Sequence, residues 1–144
     1  NAELLFPAAQ TGVRETRHIK GEHVLTGEEY LNAVHFEDAV SRGAHPIDIH
    51  TAGDTTQKCQ FLKNAAYIPY RSLIVPGFDN LLVAGRCFSA DQVASASVRV
   101  QASVMGLGQA AGCAAAQCAC AGTSVHKADV PTLQTMLRKW GALI

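Results

Sequence analysis

The tightest chemical signal in the sequence is the run Asn80-Leu81-Leu82-Val83-Ala84-Gly85-Arg86, followed by a Gly/Ala-rich helical pattern that starts near Met105. Glycine at the end of a buried strand omits the Cβ that would hold a ligand off the backbone. A helix N-terminus close by offers unpaired amides and a partial positive charge. Together they suit an anionic or electron-rich group, such as a pyrophosphate or the edge of a reduced ring. The same residues read equally well as a turn glycine and a closely packed helix.

A second match lies inside the helical pattern. Gly106-Leu107-Gly108-Gln109-Ala110-Ala111 fits the G-x-G-x-x-A dinucleotide fingerprint, and Asp129 lies near where a ribose-binding acid is wanted. The context rules it out. The fingerprint needs a strand–turn–helix–strand unit, and no apolar strand leads from this helix to Asp129, which opens another helix. Its glycines cost about 1 kcal/mol each relative to alanine within a helix. A close neighbour at Gly106, Gly108 and Gly112 would offset that cost, whether a sheet or a cofactor.

Other sets of residues carry weaker chemistry. Asp48 and His50, two apart on a strand, share a face and suit an acid–base pair or two metal ligands, although a solvent-facing pair is the plainer reading. Tyr70 and Ser72 point one way and Arg71 the other, where Arg71 could hold a substrate carboxylate with both arms of its guanidinium. An exposed edge-strand arginine explains it as well. Arg14 and Arg17 with Glu15 and Glu22 most simply form cross-strand surface ion pairs. The remaining histidines, His18, His23, His35, His45 and His126, lack ligand-like spacing and take no functional role. The five cysteines, Cys59, Cys87, Cys113, Cys118 and Cys120, form neither paired zinc spacings nor a disulfide framework. They read as free thiols and favour a reducing, cytoplasmic compartment.

The elements that must position these groups follow from local signals. Residues 13–24 mix polar and apolar types as an exposed strand would. Thr26-Gly27-Glu28-Glu29 is a capping box that starts a helix with Tyr30, Leu31, Val34 and Phe36 inward, continuing through Ala39-Val40 to a stop at Gly43. Pro46 to His50 alternates as a short strand. Residues 51–64 form a polar loop. Ala66 to Val75 is extended, with Pro69 at an edge or bulge. Pro76 to Asn80 is a turn, and Leu81 to Ala84 a fully buried strand. Ser89 to Gln92 resembles a cap, followed by extended Ser97 to Val100. A helix from about Ser103 to Ala121, roughly 28 Å at about 1.5 Å per residue, stops at Gly122. Asp129-Val130-Pro131 opens the last helix, whose Leu133, Met136, Leu137 and Trp140 make one packing stripe before Gly141.

Composition sets the outer bounds. One hundred and forty-four residues, 48% hydrophobic and 17% charged, allow one packed unit rather than a disordered chain. Twelve basic and twelve acidic side chains balance, so nucleic acid is not an expected partner. The Ala-rich stretch 110–121 is too short and too weakly apolar to cross a bilayer. Asn1-Ala2 reads as an expression-vector scar, and no basic-then-apolar leader follows it.

Five blocks then carry a resemblance: Gly12 to Arg17, Pro46 to His50, Ile68 to Leu73, Asn80 to Arg86 and Gly108 to Gly112. In this order and register, over about residues 12–140, they resemble the carboxy-terminal part of the bacterial FAD-dependent oxidoreductases. The resemblance implies a truncated α+β fold with a small, mostly antiparallel sheet and three or four helices. Residues 3–79 would form a substrate-side segment, and 80–144 a strand and helices that complete an FAD-binding, Rossmann-type domain. The amino-terminal half with the true fingerprint would be missing from this chain and would be its natural partner.

On the same resemblance, Gly85 and Arg86 match a strand-end pair beside the flavin or its ribityl chain. Ser89, Arg99, Val104, Met105 and Gly106 match positions around the ring edge. Many members carry threonine-histidine-glutamate where this sequence has Asp91-Gln92-Val93, and Gln92 cannot titrate as a histidine would. The implied function is hydride transfer from a small metabolite to FAD, with this chain inactive by itself. A non-enzymatic module docking through its Ala/Gly-rich helix is the alternative, and a hydrolase or lyase using Asp48, His50 and Tyr70 ranks last. If the usual sheet is absent, the helix's small-residue face requires cover by self-association or by residues 3–50.

Overall fold

In a computed structural model, residues 5–7, 9–10, 12–13, 15–49 and 58–144 are described. Thr26 opens the first helix, α1 (Gly27–Leu31), through the capping box: its hydroxyl takes the Glu29 amide at 3.2 Å and Glu29 returns to the Thr26 amide at 2.9 Å. The helix then ends early. Ala33 adopts φ +48°, and the Ala33 and Val34 amides bond back to Tyr30 and Glu29. This is the left-handed helix stop normally built on glycine. The longer helix expected from the sequence is therefore wrong, and Ala39–Gly43 is strand β1.

β1 pairs antiparallel with β4 (Ala66–Pro69), with Gly43 opposite Ala66 and Ala39 opposite Pro69. The register slips between Ala39 and Ser41, so Pro69, which has no amide to donate, lies at a bulge as expected. A second two-stranded antiparallel sheet joins β2 (Ile47–Ile49) to β3 (Lys58–Gln60). β3 falls within the span expected to be a polar loop. Beyond β4 the chain tightens into a 3-10 turn at Tyr70–Ser72 rather than staying extended.

Leu81 to Ala84 also departs from expectation. Only Leu82 forms a bridge, to Ile74, and Leu81 is 40% exposed, so this is a half-buried connection and no fully buried strand. Residues 19–25 form no regular strand either. They run as a strap across the molecule: Ile19 donates to Cys87, Glu22 to Ile74, His23 to Arg71 and Leu25 to Ser89.

Helix α2 (Gln92–Val98) includes Ser97 and Val98, which the sequence placed in an extended segment. Five consecutive residues, Ala94 to Val98, are buried between α1 and β2. Ser97 Oγ reaches the Tyr30 hydroxyl at 3.0 Å, beneath Gly43, and also bonds the His45 carbonyl.

The longest element is α3 (Gln101–Ala121), closed by Gly122 at φ +61°. Its Leu107, Ala110, Ala114 and Cys118 are buried, and the helix packs on β1 and on α4 (Val130–Lys139). Starting at Gln101, its 21 residues reach a mean hydropathy of 1.2 over 18, long and apolar enough to cross a membrane by length and composition. That corrects the judgement made on residues 110–121 alone. In α4, Leu133 and Leu137 are buried as expected, but Trp140 caps the helix and is 59% exposed. The chain is a small α+β unit of four helices and small antiparallel sheets among its described residues.

Candidate functional site

Gly85 adopts φ +91°, and a Cβ built there would meet nothing within 4 Å. A side chain is excluded there by backbone conformation, not by lack of room. The turn it makes, with Phe88 donating to the Gly85 carbonyl at 3.3 Å, carries Arg86 and Cys87 to the surface. Arg86 Nη1 donates to the Val13 carbonyl at 2.5 Å, and His18 Nδ1 meets the Phe88 carbonyl at 3.1 Å. Between these two segments lies a cleft of about 320 Å³ lined by Val13, Glu15, Thr16, Arg17, Arg86 and Cys87.

Ser89 is buried just beyond. Its hydroxyl accepts the Gly21 amide at 3.0 Å, which holds the strap in place. Arg99 ends α2 and donates from Nη2 to the Asp48 carbonyl at 3.3 Å. Val100 precedes α3 with no side-chain cap, so the first amides of that helix lack a side-chain acceptor. Val104 is half-buried, and Met105 is 72% exposed. Gly106 is close-packed: a Cβ there would lie 2.7 Å from Ser41 Oγ. Gly108 and Gly112 face open space, so the neighbour that the helix glycines call for is present at one of the three.

These residues do not front a single hollow. The cleft lined by Arg86 includes none of Arg99, Val104, Met105 and Gly106. Val100, Ser103 and Gly106 instead line a cleft of about 500 Å³ with Ser41, Arg42 and His45. A further cleft of about 560 Å³ lies where α1 and α2 begin, against Gln60, Phe61 and Lys63.

The weaker catalytic candidates are scattered. Asp48 sits opposite Cys59, whose thiol donates to Oδ1 at 3.9 Å. His50 lies outside the described residues. Tyr70 is buried and donates to the Val125 carbonyl at 2.9 Å; burial first, then Cys118 and Glu22, pushes its ionisation above the ordinary phenol range. Arg71 holds a carboxylate from its own chain, with Nε 3.0 Å from Asp38 Oδ2 and Nη2 3.3 Å from Oδ1. Ser72 Oγ is buried without a partner. Among the described residues no group of three or more His, Cys, Asp or Glu could hold a metal.

Sequence reasoning missed the ties made by histidines. Glu15 pairs with His18 at 3.2 Å and Glu22 with His126, not with Arg17 as a cross-strand pair would require. His23 pairs with Glu29 at 3.1 Å. Arg14 lies outside the described residues. Glu15–His18 and His23–Glu29 are local pairs, whereas only tertiary contact reveals Glu22–His126, whose members stand 104 positions apart. Gln92, at the position where the family pattern has histidine, opens α2 and is exposed.

The described chain is thus a small α+β unit that carries a turn glycine, an adjoining exposed arginine and a long helix without a side-chain cap. The sequence matches the family described as FAD dependent oxidoreductase over residues 1–137, and the chain belongs to that family. No curated protein and no solved structure matches it. The residues fit FAD in part. Gly85, Arg86 and Met105 present open surface, whereas Ser89 and Gly106 are closed against the chain's own atoms.

Proposed function

We propose that this chain is the carboxy-terminal portion of a flavin oxidoreductase that oxidises a small metabolite, and that it neither holds FAD tightly nor turns over by itself. The observation that carries this reading is the family match over residues 1–137 together with an α3 face, Met105, Gly108 and Gly112, that this chain leaves uncovered. When bound, FAD supplies a hydride acceptor. The chain's own part is orientation: Gly85 admits the cofactor to the backbone, Arg86 offers positive charge, and the amides that open α3 suit an electron-rich edge. Arg99, Val104 and Met105 would border the ring. Gln92 offers no titrating group, so proton movement falls to residues outside that position.

An amino-terminal FAD-binding portion is the partner this reading requires, with a small molecule as substrate and neither nucleic acid nor a membrane. The balanced charge supports the absence of a nucleic-acid partner. Without its partner the α3 face favours self-association, which size-exclusion chromatography would register as a dimer.

Titrating FAD against this chain and against one extended upstream tests the proposal. Tight binding by the longer chain alone is expected, and micromolar binding by the short one overturns it. The rival, a docking module without enzymatic activity, draws on the same uncovered helix face. It predicts no strand followed by G-x-G-x-x-G in the coding sequence upstream.

A further inference from the structure

Among the described residues, the cleft between Val13, residues 15–17 and the Gly85 turn carries more positive than negative charge. Arg17 and Arg86 line one hollow of about 320 Å³. Arg17 is exposed and pairs with no carboxylate among the described residues. Arg86 gives one N–H to the Val13 carbonyl, and the rest of its fork makes no hydrogen bond there. Glu15, the only acid among the described residues of the wall, is engaged by His18 at 3.2 Å, and His18 is itself held by the Phe88 carbonyl. Thr16 adds a hydroxyl, and the Cys87 thiol is turned to the Ala84 carbonyl at 3.8 Å.

Planar guanidinium forks match the paired oxygens of a carboxylate or phosphate, and two on one concave wall hold such a group far better than one on a flat surface. We propose that this cleft binds the oxyanion of a small molecule between Arg17 and Arg86, with the Thr16 hydroxyl as a further donor. The identity of the ligand rests on the flavin reading above: a carboxylate belongs to the substrate, a diphosphate to the cofactor. Arg17 is then a binding residue that the family resemblance does not mark.

The test titrates this chain with succinate and, separately, with ADP in low-salt buffer, following backbone amide shifts by NMR. Saturable shifts at Thr16, Arg17 and Cys87 are expected. Saturation by succinate alone assigns the cleft to a substrate carboxylate, by ADP alone to a diphosphate, and by both to oxyanions generally. Arg17→Gln should weaken binding by at least about tenfold, the usual loss for a charge-assisted hydrogen bond. Arg17→Lys, which keeps the charge and loses the fork, should fall between. Lys139→Gln removes an equal charge on α4 and should change nothing. Shifts that fail to saturate with either probe, or equal losses in Arg17→Gln and Lys139→Gln, overturn the proposal. No flavin is present in the titration, so its failure leaves the flavin reading standing.

Discussion

Gly27 donates its amide to Asp91 Oδ2 at 2.8 Å, while the other oxygen of the same carboxylate takes the Ala94 amide at 2.8 Å. One side chain thus closes the first turns of α1 and α2 and fixes the two helices against each other. Replacing it removes a helix cap and a second charge-assisted bond. Asp91→Ala should lower stability by about 2 to 3 kcal/mol. Asp91→Asn should retain roughly half of that. Urea unfolding checks both, and an Asp91→Ala loss below about 0.5 kcal/mol would contradict the shared-cap account.

Glycine and alanine occupy the less favourable of each other's places at two sites. Ala33 bears φ +48° at the stop of α1, and Gly108 lies inside α3 with open space where a Cβ would be. Ala33→Gly and Gly108→Ala should each raise stability by up to about 1 kcal/mol. Gly43→Ala should do the reverse, since its Cβ would meet the buried Tyr30 hydroxyl; overpacking of that kind costs about 1 to 3 kcal/mol. Thermal melting of the three variants gives the signs directly.

Stability should also depend on pH through His126. Its Nδ1 meets Glu22 Oε1 at 2.5 Å and its Nε2 meets the Phe78 carbonyl at 3.1 Å, an arrangement that only the doubly protonated ring completes. The bond to Glu22 is the main cause, and outweighs a smaller desolvation effect, so the imidazole titrates above its ordinary value. A raised folded-state value means that the contribution is complete below the unfolded imidazole value, about 6.5, and is lost as pH rises through the raised one. The unfolding midpoint should therefore fall across that window, and His126→Gln should flatten the profile. An NMR titration placing His126 at or below 6.5 would refute this.

Tyr70 offers a cleaner separation of structure from chemistry. Tyr70→Phe leaves the buried Val125 carbonyl without its donor and should cost about 1 to 2 kcal/mol. If the hydroxyl is only a tie, FAD affinity and turnover of the assembled flavoprotein should be unchanged. A large fall in turnover without loss of stability would restore Tyr70 as an acid–base group.

Local chemistry was the most legible part of this fold. Thr26 with Glu29, Asp91, Asp129 with Pro131, Gly122 and Gly141 all act where short-range rules place them, because each interaction spans only a few residues. The long helix and the strand at Ile47–Ile49 follow from period. The failures share a different cause. Helix α1 stops on an alanine, where sequence rules look for glycine, and β3 is a polar Lys-Cys-Gln segment with no alternating apolar face to reveal it. Leu81 to Ala84 is apolar enough for a central strand but finds one bridging partner. The Arg17–Arg86 cleft was out of reach for a further reason: it forms only when Arg86 crosses to Val13, 73 positions away.

The strap of residues 19–25 has a kinetic consequence. Its backbone partners lie in segments 71–74 and 87–91, and its Glu22 waits for a histidine near the far end. None of these bonds is local in sequence, so the chain must close large loops before it is rewarded for doing so. On a ribosome the strap's backbone bonds wait for residues 71–91, and the tie from Glu22 waits for His126. Loop closures of that length place folding toward the slow end for a protein of this size.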